Sequence, residues 1–135
     1  MPLYFNAFEG IDFVNDTIKC ALYQSDFVED LTDQFLSDIS GTEASGSGYV
    51  RKTLASKTAT VSTNQVKKYY DAADVSWTGL TEPDLAVLLV FKDTGNAATS
   101  RLIGYVEDPD GPRVLVNATA TYQWQSLGLF DVRFL

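Results

Sequence analysis

The sequence contains no histidine and a single cysteine, Cys20. Without histidine, Ser-His-Asp and Cys-His triads and histidine-ligated metals are excluded. One cysteine excludes an internal disulfide framework and every cysteine-based zinc pattern. Basic residues are scarce as well: Lys and Arg number 10 against 18 Asp and Glu, for a net charge of −8. A nucleic-acid grip needs a clustered basic face. Arg51-Lys52 and Lys67-Lys68 are the only dense basic pairs, and two pairs make no stripe. No apolar run approaches the ~18 residues of a membrane helix, and no basic segment leads into an apolar one as in a secretory signal. The sequence therefore predicts a soluble, unprocessed protein that meets neither nucleic acid nor membrane.

What is present is a β pattern. The 135 residues are 45% apolar and 13% aromatic, enough to bury the core of one domain. Alternation is plainest from Arg113 to Trp124. Val114, Val116, Ala118, Ala120, Tyr122 and Trp124 share one expected face, which predicts a core position for Trp124. Residues 129–134 and 17–23 repeat the device, the latter setting Cys20 beside Ile18 and Leu22. Residues 56–63 are rich in Thr, and 85–91 are apolar throughout, as a central strand covered on both faces would be. Glycine-rich 41–48 (GTEASGSG) reads as a flexible loop, while 79–84, with its proline, and 107–112 (EDPDGP) read as turns. Val28, Leu31, Phe35 and Ile39 lie at helical spacing, with Asp26 and Glu29 placed to cap, so one or two short helical turns are expected within 27–39. The expected fold is a single all-β domain over residues 1–135: an antiparallel β-sandwich, jelly-roll-like, of about seven or eight strands.

Candidate sites are few. KDTGNAATSR (92–101) has one glycine, and its lysine precedes that glycine, so it fails the phosphate-cradle pattern and reads as a hairpin connection. Glu107, Asp108 and Asp110 lack calcium-loop spacing and read as a turn. Asp71 and Asp74 read as a bend before the strand holding Trp77, rather than as an acid–base pair. No catalytic, cofactor or metal residues emerge. Partner contact is assigned to Gly46, Gly48 and Tyr49 of the glycine-rich loop, and to Tyr69 and Tyr70, one of which should face outward because strand neighbours alternate.

Several segments, in order, resemble a family of small virion structural proteins of tailed bacteriophages. They are DTIKCALYQS (16–25), QFLSDIS (34–40), LASKTATV (54–61), DAADVSW (71–77) and, most distinctive, FKDTGNAATSRLIGYVED (91–108). The chain departs from the family at GSGYVRKTL, where a Gly-Gly pair is usual, and through its C-terminal third. The resemblance implies a non-enzymatic decoration or cement protein that binds and stabilises the phage head, without cofactor. It implies the major capsid protein as partner, a homo-oligomer on the capsid surface, and synthesis in the bacterial host cytoplasm. A tail or baseplate structural protein, or a carbohydrate-binding module with an exposed aromatic platform, are the alternatives.

Overall fold

The computed structural model describes residues 3–4, 10–61, 68–124 and 132–134. Its strands are β1 (Leu3–Tyr4), β2 (Ile18–Tyr23), β3 (Lys52–Thr53), β4 (Thr58–Val61), β5 (Lys68–Asp71), β6 (Val75–Leu85), β7 (Val87–Lys92), β8 (Leu102–Glu107), β9 (Arg113–Trp124) and β10 (Val132–Phe134). Every pairing is antiparallel. A five-stranded sheet, β1-β8-β7-β2-β3, packs on a three-stranded sheet, β10-β9-β6, and β4 with β5 forms a separate hairpin. The chain is all-β. Consecutive strands wind between the layers: β7 and β8 pair in one sheet while the flanking β6 and β9 pair in the other, a jelly-roll-like path.

Alternation explains the layering. Ile18, Cys20 and Leu22 of β2, Leu88 and Val90 of β7 and Ile103 of β8 point one way. They meet Trp77, Leu80 and Leu85 of β6 and Ala120, Tyr122 and Trp124 of β9. The intervening Ala21, Tyr23, Leu89 and Phe91 form a second cluster with Leu36, Phe27 and Ile39 on the opposite face. The central strand β7 is thus buried on both sides, as its uninterrupted apolar run predicts. That run is shorter than the pattern suggests. Leu85 closes β6, and Ala86 is the crossing between sheets, its N–H donating to the Tyr23 carbonyl at 3.0 Å and its carbonyl accepting from Asp108 N at 2.8 Å.

Within 27–39 the expected short helical turn is present as the 3-10 turn Leu36–Asp38, and the rest of that spacing is not helical. The Asp30 carboxylate takes hydrogen bonds from the Thr32 N–H and hydroxyl, a local arrangement that competes with helix. Asp26 holds Thr42 across the loop instead of capping. Val28 and Leu31 are left exposed, whereas Leu36 is buried. Residues 79–84, read as a turn, lie inside β6, where proline is tolerated because β6 is an edge strand.

The expected pattern of β9 also changes. From Leu80 to Glu82 strand β6 advances two residues while its β9 partners, Ala118 to Leu115, advance three. This bulge contains Asn117, whose φ of 46° lies in the left-handed region. One inserted residue inverts the faces. Ala120, Tyr122 and Trp124 stay in the core as expected, but Val114 and Val116 turn outward and are 74% and 75% exposed.

Burial pushes the Cys20 thiol up to about 12, and burial likewise pushes the Tyr23 hydroxyl up to about 12. In an unfolded chain these groups ionise near about 8.5 and about 10. Folding favours their protonated forms, so this stability is complete below the unfolded values and is lost as pH rises towards the folded ones. The midpoint of thermal unfolding should therefore fall between about pH 9 and about pH 12, and Cys20→Ala should flatten the first part of that fall. Circular dichroism melts against pH check this; a midpoint insensitive to alkali would contradict it.

Candidate functional site

The glycine-rich loop is packed, which corrects its reading as a flexible segment. It lies along the outer edge of β6. Thr81 N–H donates to the Ser47 carbonyl at 2.9 Å, and Trp77 Nε1 donates to the Val50 carbonyl at 2.6 Å. A Cβ on Gly46 would lie 1.7 Å from the Thr81 carbonyl oxygen, and one on Gly48 would lie 2.5 Å from that of Gly79. Gly48 also has a φ of 84°. Glycine is required at both positions because backbone meets backbone there.

Glu82 anchors the loop. It sits on the inward side of β6 and is 1% exposed. Its Oε2 accepts the Gly46 N–H at 2.9 Å and its Oε1 accepts Gln24 Nε2 at 2.9 Å. Tyr49 is equally committed. Its ring stacks on Trp77 with centroids 6.5 Å apart. Its hydroxyl accepts from Leu22 N at 3.2 Å and donates to Glu43 Oε1 at 2.9 Å. Burial, then the Glu43 charge, hold that hydroxyl far above the usual tyrosine range. Arg51 completes the group with a two-pronged bond to Glu43, at 2.7 and 3.0 Å. Deleting residues 41–49 should therefore unfold the domain rather than free a surface. Sequence reasoning missed Glu82 because a lone acid within a strand carries no sign of being turned inward.

Of the predicted contact residues, Gly48 is exposed and Gly46, Tyr49 and Tyr70 are half-buried. Tyr70 meets Phe13 edge-to-face at 5.2 Å and packs against the interlayer core. The side chain of Tyr69 lies outside the described residues. The structure brings the loop residues together on β6 but does not join Tyr70 to them.

The remaining candidates are structural in detail. Residues 93–101 connect β7 to β8 as a hairpin loop. They are tightened by Asp93, Thr94 and Asn96, which bond backbone N–H groups two residues on. Lys92 pairs with Asp16 at 3.0 Å and Lys19 with Asp93 at 2.8 Å. Asp108 is buried against Arg113 and accepts the Asp110 N–H, closing the turn before β9. Asp71 accepts the N–H of Ala72 in the bend before β6, and Asp74 accepts that of Trp124 at 3.2 Å, tying the bend to β9.

The opposite edge of the same sheet contrasts with the loop-covered one. β10 pairs with β9, among the described residues, at Tyr122, Gln123 and Trp124. Among the described residues, no strand covers 114–121 on that edge. The outward face is also unusual in composition. β6 exposes Ser76, Thr78, Thr81 and Pro83, and β9 exposes Val114, Val116, Asn117 and Thr119. None is charged. The charged members of the two strands are engaged elsewhere: Glu82 inside, Asp84 with Ser25 at 2.6 Å, and Arg113 with Asp108.

Gly46→Ala should cost about 3 kcal/mol, since the added methyl must displace backbone in a packed site. Glu82→Ala should cost about 1–2 kcal/mol by leaving two half-buried donors without their acceptor. Glu82→Gln should cost less, because its amide oxygen still accepts one of them. Urea unfolding of the three variants checks the order; wild-type stability in Gly46→Ala would show that the loop does not hold β6. Comparison of the chain with protein-family models, with curated proteins and with solved structures finds no match.

Proposed function

We propose that the chain is a non-catalytic structural protein of a tailed-phage virion, acting as a decoration or cement protein on the head. The observation that carries this reading is where the resembling segments fall. DTIKCALYQS supplies β2, and FKDTGNAATSRLIGYVED supplies the end of β7, its connecting loop and β8. These are adjacent strands of the sheet that is buried on both faces. DAADVSW carries the chain from β5 into β6. The resemblance thus coincides with the scaffold, which favours a shared fold.

Such a protein works by docking many copies on a lattice, and avidity makes modest affinity per copy sufficient. Its partner is the major capsid protein, and its place is the capsid surface. A sugar-stacking role draws no support from the tryptophans, because Trp77 and Trp124 are both in the core.

Mass spectrometry of separated heads and tails from the purified virion tests the assignment: the protein should be found with heads. Adding it to heads that lack it should raise their disruption temperature, because it binds the closed shell in preference to free subunits. Unchanged thermal and osmotic resistance would overturn the cement reading, and recovery in tails alone would establish a tail-associated role.

A further inference from the structure

We infer that a second copy of this chain pairs with the open edge of β9, antiparallel and about a two-fold axis through Leu115. Three separate observations lead there. First, the edge over 114–121 is uncovered among the described residues. An uncovered edge offers a row of backbone donors and acceptors that templates another strand. The usual protection is present on the other edge of this sheet, where the glycine loop lies along β6. Residues 114–121 contain neither lysine nor proline to discourage pairing.

Second, the bulge at Asn117 turns Val114 and Val116 outward on a strand where regular alternation would have kept them with the core residues. Paired valines this exposed, two apart on one strand face, form a small apolar ridge beside the open edge. Interface centres are depleted of charge in the same way.

Third, charge selects the occupant. The chain carries a net charge of −8, so most approaches between copies are opposed by like charge. The exposed residues of β6 and β9 carry none, so identical copies meet here without like charges set against one another. A partner recognised by its charge would find nothing here to pair with. A two-fold centred on Leu115 sets Val114 opposite the second copy's Val116 and the reverse, the register in which both valines face a valine across the ladder. The left-handed Asn117 bounds the regular part of that ladder. The ladder runs between 113 and 117 of the two copies, and because each copy offers that stretch once, association stops at two.

This inference is independent of the virion reading, since pairing in solution is measured without any phage component. Sedimentation equilibrium of the full chain should show a monomer–dimer equilibrium at concentrations up to about 0.5 mM, and Val116→Lys or Val114→Lys should weaken it by at least about tenfold. Both positions are exposed, so the melting midpoint of monomeric protein should be unchanged. Under mild oxidation, Val114→Cys mixed with Val116→Cys should cross-link faster than either variant alone; Cys20 is buried and stays out of the reaction. A chain that remains monomeric throughout, or a dimer indifferent to both lysine variants, would overturn the inference. Faster cross-linking within a single variant would overturn the register.

Discussion

Burying a carboxylate such as that of Glu82 costs several kcal/mol unless its oxygens are hydrogen-bonded, and the chain supplies donors from two different places. Gln24 comes from the end of β2, in the five-stranded sheet, and the Gly46 N–H comes from the loop along β6. One side chain therefore ties the two layers and the loop together. Around it, the loop can lie against β6 only because Gly46 and Gly48 lack a Cβ. Trp77 is held from above by Tyr49 and from the side by Tyr122, and its indole N–H is satisfied by Val50. Breaking the Glu82 contacts would loosen each of these in turn.

The two edges of the three-stranded sheet are treated differently, and the difference follows from what each can bury. β6 gains backbone partners and aromatic packing from the loop. Among the described residues β9 receives β10 over three residues, and the bulge at Asn117 presents Val114 and Val116 beside the stretch that no described strand covers. Strong association needs such a patch, free of charges that would have to be desolvated. The proposed virion role and the pairing of copies are compatible without depending on one another.

The doubly covered strands and the exposed β6–β9 face are different parts of the chain. Strands β2, β7 and β8 are buried on both faces, and small substitutions there are felt throughout a close-packed interior. On the exposed β6–β9 face a substitution meets solvent instead and changes stability little.

Much of the fold was legible in the residues. Period-two alternation marked β2 and β9, an unbroken apolar run marked β7 as doubly covered, and Asp-Gly and Pro marked the turn before β9. Each of these signals is local: it depends on which side of a pleat a residue occupies or on what φ a turn demands. The site was far less legible. Whether glycines form a free loop or a close contact depends on what backbone lies opposite, and only the packed loop shows Thr81 and Gly79 there. The same limit applies to Val114 and Val116. A single left-handed residue, Asn117, reverses their side of the sheet, and although Asn tolerates that conformation, its presence in an alternating run does not by itself locate a bulge. The helical spacing of 27–39 likewise yielded to Asp30 and to the apolar face of the five-stranded sheet, which drew in Phe27, Leu36 and Ile39. The sequence by itself determined the elements and most of the core, because burial and turn chemistry act on neighbours. Register, bulges and edge coverage were decided only in the tertiary structure, because they depend on strands distant along the chain.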